Sequence, residues 1–305
     1  MAKKDIGKPV KKQQKQNEMI EFTPPNFFSS FNTKLLDVFL DLDENNAIFT
    51  LYSLSINNST SSLIVETLIN SPSKFYFSDT PIILINKSDT YLIAGTKDGA
   101  IILWDLRITE SFYKLGKNPF LNEDILSKFP NDVTLRTPNY SSMQELLLNP
   151  ASFIHKAAID KILVNHENSI NKEIITMDIL NQLIIWKVIE LNATEIERNF
   201  INFGSRSKFK LVQSLQINLS DSFAESLEEN NSVLNINNFD IDMKENLLYF
   251  CSNSKIVKSD KYGSIFSSPP NIYSLKESFE EACPISIFIT NIEIFYVGYS
   301  DGGIG

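Results

Sequence analysis

From Leu35 to the end of the chain, short runs of β-branched and aromatic residues alternate with Asn, Asp, Ser, Gly and Pro. The clearest runs are Ala47–Leu54, Leu63–Ile69, Tyr91–Ala94, Ala100–Leu106, Ile174–Met177, Leu183–Leu191, Lys210–Leu219, Leu247–Cys251, Ile285–Ile289 and Ile294–Val297. Such residues suit a pleated, half-buried surface. Many short strands with turn signals between them predict an all-β sandwich, barrel or propeller. Helical spacing of apolar residues is confined to 142–164, where Pro150 interrupts it. Residues 107–160 read as one long inter-strand connection with room for one or two short helices, and 220–232 as an acidic loop. Residues 1–33 show no sustained period and read as a Lys-rich tail or arm, ahead of a single body over 34–305.

Internal repetition narrows the architecture. In Tyr91–Arg107 an apolar strand runs through Gly95 and Thr96 into a turn at Lys97-Asp98-Gly99, and a second apolar strand ends in Trp104-Asp105. Asp-Gly between two apolar strands is a strong hairpin signal, because Gly accepts the positive φ of a tight turn. Residues 173–188 repeat the strand, turn and strand, with Trp186 in the place of Trp104. Residues 246–259 are a weaker copy, and a further copy starts at Glu293, where Asp301-Gly302 matches Asp98-Gly99. This is the hairpin of a WD repeat, the second and third strands of a propeller blade. The separation of the two Trp residues is nearly twice the ~40–45 residues of a regular repeat, and the excess falls in the 107–160 connection. An extra blade fits before residue 70. The expected fold is an all-β WD-repeat β-propeller with about four blades and the start of a fifth, incomplete because the chain stops at Gly305.

Composition removes several function classes. The net charge is −9, yet residues 1–17 carry six Lys and one Asp. The body is therefore acidic, which argues against a nucleic-acid surface, since that needs a basic face. The Lys run reads as a solvated tail. Two cysteines, Cys251 and Cys283, exclude a disulfide framework. No apolar run approaches the ~18 residues of a membrane span, and no signal peptide is legible. A reducing, cytoplasmic setting follows, in which the Asn-x-Ser/Thr sequons at Asn58, Asn86 and Asn192 carry no meaning.

Catalytic patterns are likewise missing from the sequence. The chain has two histidines, His155 and His166, both in the irregular stretch before the second clear blade. Neither sits in a nucleophile or zinc-ligand pattern, and both read as surface or loop residues. There is no Walker-type or GxGxxG phosphate loop. Asp41, Asp43, Glu280 and Glu281 form no matched acid–base pair. No catalytic, cofactor-binding or metal residue is expected. The singled-out positions are structural ones of WD repeats: Gly95, Thr96, Asp98, Gly99, Trp104, Asp105, Trp186, Asp301 and Gly302. In full WD repeats a hydrogen-bond chain links the turn Asp, a His before the blade, a strand Ser/Thr and the Trp. Asp98, Thr96 and Trp104 are candidates for it, but no His precedes them.

The run AGTKDGAIILWDLR at 94–107 resembles the most recognisable repeat of dynein intermediate chains. TLRTPNYSS at 134–142, LIIWKVIEL at 183–191, KFKLVQSLQINLSDSF at 208–223 and YSDGGIG at 299–305 resemble, in order, later segments of the WD-repeat intermediate chain of cytoplasmic dynein 2. The ordered resemblance spans about residues 91–305. It implies a non-catalytic scaffold whose propeller grips the tail of the dynein 2 heavy chain, beside a second, related intermediate chain. The setting would be retrograde intraflagellar transport in the cilium and at its base. That family carries light chains on a long N-terminal region, whereas only residues 1–33 precede the first strands here. The rival readings are an intermediate chain of another dynein, an enzyme on a propeller scaffold, and a substrate receptor of a cullin-type ubiquitin ligase. The last fits the box Trp104-Asp105-Leu106-Arg107.

Overall fold

A computed structural model describes residues 25–41, 47–56, 59–68, 71–107, 127–130, 133–143, 146, 154–165, 172–197, 208–220, 236–242, 245, 247–252, 255–260, 262, 272–274, 283–290 and 295–304. The described residues form mostly strands, in five sheets that follow one another along the chain. Sheet A holds β1 (Asn32–Asp41), β2 (Ala47–Ile56), β3 (Ser59–Leu68) and β4 (Ser71–Ser78). Sheet B holds β5 (Ile82–Lys87), β6 (Tyr91–Thr96) and β7 (Ile101–Asp105). Two short strands come next: β8 (Leu135–Arg136) joins the outer edge of sheet A in parallel, and β9 (Tyr140–Ser141) completes sheet B. Sheet C holds β10 (Ile159–Asn165), β11 (Glu173–Asp178), β12 (Gln182–Glu190) and β13 (Phe209–Asn218). Sheet D holds β14 (Ile236–Asp242), β15 (Leu247–Ser252), β16 (Lys255–Asp260) and β17 (Ile272–Ser274). Sheet E pairs β18 (Pro284–Ile289) with β19 (Phe295–Tyr299). Within each sheet the consecutive strands pair antiparallel, as hairpins and meanders do.

The sheets stack face to face in chain order. Phe49, Leu51 and Tyr76 of sheet A meet Leu92, Ile102 and Trp104 of sheet B. Ile93 and Leu103 of sheet B meet Ile174, Ile184 and Trp186 of sheet C. Met177 and Ile185 of sheet C meet Phe239 and Phe250 of sheet D, and Tyr249 and Cys251 of sheet D meet Ile287 and Val297 of sheet E. Alternate residues of one strand therefore serve two interfaces, as the period of two requires. The first strands also touch in series: β1 with β5, β5 with β10, β10 with β14, and β14 with β18.

Each first strand carries a bulge, which in β5, β10, β14 and β18 lies opposite the end of the partner strand and in β1 opposite the middle of β2. The register slips between Leu35 and Asp37, Ile82 and Leu84, Ile159 and Lys161, Ile236 and Asn238, and Pro284 and Ser286. A bulge bends a strand and increases its twist. Side chains then tie neighbouring first strands together. Asn86 Nδ2 donates to the Ile162 carbonyl at 2.9 Å, Asn237 Nδ2 donates to the Pro284 carbonyl at 2.7 Å, and Ile289 N donates to Asp240 Oδ2 at 2.8 Å. Lys161 Nζ donates to Asn238 Oδ1. Burial pushes the Lys161 ammonium below its ordinary range and the Asp240 carboxyl above it.

Two sequence expectations change. The helical spacing over 142–164 holds only in part: Ser142, Met143 and Leu146 are helical, whereas Ile159–Asn165 is strand β10, paired with β11. The bulge explains the helical look of the strand, because it sets the buried Ile159 and Ile162 three positions apart, as on one helical face. The 107–160 connection contains β8 and β9 and enters sheet C at Ile159. The acidic loop at 220–232 lies outside the described residues beyond Ser220, as do residues 1–24 of the N-terminal tail. Residues 26–30 form a 3-10 turn, from which Phe28, with Phe31, packs on sheet A beside Phe129 and Leu135.

Cys251 is fully buried between sheets D and E, and Cys283 is exposed. Burial pushes the Cys251 thiol up to about 12. At pH 8 a thiol-specific reagent should modify Cys283 rapidly and Cys251 only on unfolding, because the thiolate is the nucleophile. Two rapid equivalents would show that the D–E interface does not pack in this way.

Candidate functional site

Sheet C contains a closed chain of buried polar groups. Trp186 Nε1 donates to Thr176 Oγ1 at 2.8 Å, and Thr176 Oγ1 lies 2.6 Å from His155 Nε2. His155 Nδ1 lies 3.1 Å from Asp178 Oδ2. The other oxygen of Asp178 accepts from Leu180 N at 3.0 Å and Gln182 N at 2.9 Å, which shapes the β11–β12 turn. A ring protonated on Nδ1, with Nε2 accepting from the Thr176 hydroxyl, satisfies every group in the chain. Local folding explains the placement. Ile174 lies opposite Trp186 in the β11–β12 ladder, so Thr176 sits diagonally across from the indole on the same face. His155 reaches them from the segment that leads into β10.

A hydroxyl, an imidazole and a carboxylate in this order are also the connectivity of a nucleophilic triad. Here His155 and Thr176 have no exposed surface, and Asp178 is 1% exposed. The indole N–H occupies the hydroxyl where a substrate carbon would have to approach. The arrangement joins the turn, the strands and the preceding segment, and it offers no path for a substrate. His155 is thus a buried centre of the structure, where the sequence places a surface or loop residue. A signal was available: His, Thr, Asp and Trp occur in the order of the WD-repeat chain at 155, 176, 178 and 186. His166 lies outside the described residues.

Sheet B holds its Trp differently. Leu92 lies opposite Trp104, which puts Ala94, without a hydroxyl, where sheet C has Thr176. Thr96 binds the turn residue Asp98 and accepts Ala100 N at 2.8 Å, and it does not reach the indole. The candidate chain Asp98–Thr96–Trp104 is therefore broken at its last link. Trp104 Nε1 instead donates to the carbonyl of Arg136 at 3.1 Å, in the strap formed by β8. The Arg136 guanidinium lies over the ring of Tyr76, which packs edge-on against Trp104 and donates to the buried Glu66 carboxylate. The long connection closes the A–B interface in place of a histidine.

The remaining singled-out residues shape turns and contacts. A Cβ on Gly95 would stand 2.7 Å from Ile159, so sheet C packs against bare backbone there. Gly99 has φ +87° and a Cβ would meet the His155 carbonyl at 2.4 Å, so both conformation and space require glycine. Gly302 also has φ +87°, but in open space, and Asp301 Oδ1 accepts Gly303 N at 2.8 Å. Asp105 is buried and forms a clamp with Arg107, whose Nε and Nη2 donate at 3.1 and 3.2 Å. Arg107 also donates to Glu190 at 3.2 Å, and its guanidinium carbon lies 3.9 Å from the centre of the Phe209 ring. Asp105 Oδ2 accepts Lys208 N at 3.3 Å. This clamp fastens the end of sheet B to sheet C.

One tip differs from its counterparts. The β6–β7 turn presents Lys97-Asp98, whereas the β11–β12 turn presents Ile179 and Leu180, each 61% exposed. Its backbone is held by Asp178 and by Ile179 N donating to the Ala158 carbonyl at 3.0 Å. Two apolar side chains on a rigid turn are suited to a protein contact, since ordering them on binding costs little. Among the described residues no group of His, Cys, Asp and Glu has the geometry of a metal site, and no helix is long and apolar enough to cross a membrane. The chain matches no known protein-family model and no curated protein.

Thr176→Val should destabilise the fold by about 1–3 kcal/mol, because it strands the Trp186 and His155 nitrogens. In a double-mutant cycle with His155→Phe the two losses should be clearly non-additive. Trp104→Ala should cost roughly 3–5 kcal/mol. Additive, small shifts in the urea midpoint would contradict the network.

Proposed function

We propose that the chain is part of a WD-repeat β-propeller and acts as a non-catalytic dynein intermediate chain, holding the heavy-chain tail of dynein 2 in cilia. The observation that carries the propeller reading is the buried Trp186–Thr176–His155–Asp178 chain, whose members and order are those of the WD-repeat lock. Consecutive four-stranded meanders whose first strands abut in series support it, because blades round an axis bring their innermost strands together. The motor assignment rests on the ordered resemblance over residues 91–305. The proposed partners are the dynein 2 heavy chain and a related second intermediate chain, in the cytoplasm, the cilium and the ciliary base.

The geometry weighs against the ligase-receptor rival in one respect. The Arg107 guanidinium, which that reading needs for an adaptor, already binds Asp105 and Glu190 and stacks on Phe209. An enzyme reading finds no support in the triad-like group of sheet C, where His155 and Thr176 have no exposed surface.

Affinity purification from a ciliated cell with mass spectrometry is the test. The dynein 2 heavy chain should be recovered, and Ile179→Asp with Leu180→Asp should lower its yield several-fold while leaving the melting temperature unchanged. Recovery of ligase adaptors without any dynein heavy chain would overturn the assignment. Recovery of another dynein heavy chain would keep the subunit class and change the motor.

A further inference from the structure

We propose that the Ile179–Leu180 contact is conditional: the tip binds its partner only while sheet B is seated on sheet C. The inference rests on the tip being the partner contact, as set out above. The segment 155–158 carries the dependence, because it touches two turns at once. Toward the β11–β12 turn, His155 Nδ1 lies 3.1 Å from Asp178 Oδ2, and the Ala158 carbonyl accepts Ile179 N at 3.0 Å. Toward sheet B it meets the β6–β7 turn. A Cβ on Gly99 would stand 2.4 Å from the His155 carbonyl oxygen and 2.8 Å from that of Ala157. The seam continues at Gly95, where Ile159 occupies the space of a Cβ. Two glycines thus let sheet B lie directly on the residues that hold the tip.

The tip takes much of its support from this segment. Asp178 Oδ1 accepts Leu180 N at 3.0 Å and Gln182 N at 2.9 Å, while Oδ2 is fixed by the imidazole. Asn181, next to the apolar pair, stands at φ 62°, where non-glycine residues stay only if their surroundings hold them. Its carbonyl accepts Leu219 N at 3.1 Å, a brace from the end of β13. A shift of 155–158 away from sheet C would release both the imidazole and the Ala158 carbonyl. Ile179 and Leu180 would then have to be ordered on binding, which weakens the contact. Affinity at the tip is therefore set partly by a glycine in another sheet. The coupling is reciprocal, so a bound partner also tightens the B–C seam.

Gly99→Ala and Gly302→Ala test it together. Both glycines have φ +87°, so both variants carry the same kind of backbone strain, but a Cβ on Gly302 meets nothing within 4 Å. In affinity purification from a ciliated cell, Gly99→Ala should lower recovery of the dynein 2 heavy chain by about fivefold or more. Gly302→Ala should leave it unchanged. Hydrogen exchange at the Ile179, Leu180 and Gln182 amides should quicken by about tenfold in Gly99→Ala, with exchange in sheet D unaltered. Gly95→Ala displaces a side chain in place of a carbonyl. It should shift both readouts the same way, and it serves if Gly99→Ala does not fold. Unchanged recovery in folded Gly99→Ala and Gly95→Ala, while Ile179→Asp with Leu180→Asp still lowers it, would overturn this inference and spare the tip. An equal loss in Gly302→Ala would also overturn it. No effect of the Ile179 and Leu180 substitutions would remove the tip reading, and this inference with it.

Discussion

Every sheet with a neighbour on each side must bury both of its faces. This constraint shapes most of the molecule. The central strands of sheet B, Tyr91–Thr96 and Ile101–Asp105, are buried at every position, and so is Glu173–Asp178 in sheet C. A strand buried on both faces loses the polar side that a one-sided sheet keeps. Polar groups that remain inside must find partners within the interface, or the desolvation of each costs up to a few kcal/mol. The buried Thr176, Asp178, His155 and Asp105 all do so. The inter-sheet locks are thus what two-sided burial demands of the few polar residues it admits.

The same constraint explains why the locks differ between interfaces. The indole of Trp186 finds a hydroxyl diagonally across the hairpin, while Trp104 faces Ala94 and must look elsewhere. The acceptor comes from residues 135–136, more than thirty positions along the chain from Trp104. A connection that looks superfluous in the repeat spacing therefore does the work of a missing side chain. The bulged first strands have a comparable role. Bent by their bulges, the five first strands touch in series, and Gly95 removes the Cβ that would hold sheet B away from Ile159.

Legibility in the sequence followed local chemistry. The hairpins β6–β7 and β11–β12 stood out because their turns and strands obey rules that act within a few residues, and the positive φ of Gly99 and Gly302 is where the Asp-Gly turns require it. Most first strands are hard to read, because a bulge breaks the alternation that identifies a strand, although Ile285–Ile289 of β18 is legible despite its bulge. Ile159–Asn165 consequently passed for part of a helical segment. Ser71–Ser78 was missed for another reason: its first half, Ser-Pro-Ser-Lys, carries turn-forming residues on an outer strand. The lock in sheet C was within reach, since its four residues occur in order. Choosing between Thr96 and Ala94 as the partner of Trp104 needed the register of the ladder, which composition does not reveal. The sequence spacing also hid the strap, because nothing local marks Leu135–Arg136 as a strand on a distant sheet edge.

Sheet A shows what burial does on a face that no neighbouring sheet covers among the described residues. Sheet A covers part of its outer face with rings from two distant segments. Phe27, Phe28, Phe31 and Phe129 pack at tilted or edge-on angles over Tyr52, Phe75 and Phe77. These rings fill the space a neighbouring sheet would take, as a capping repeat does at the end of a solenoid. Sheet E has no such cover among the described residues, and its outward positions keep the apolar character of an internal face.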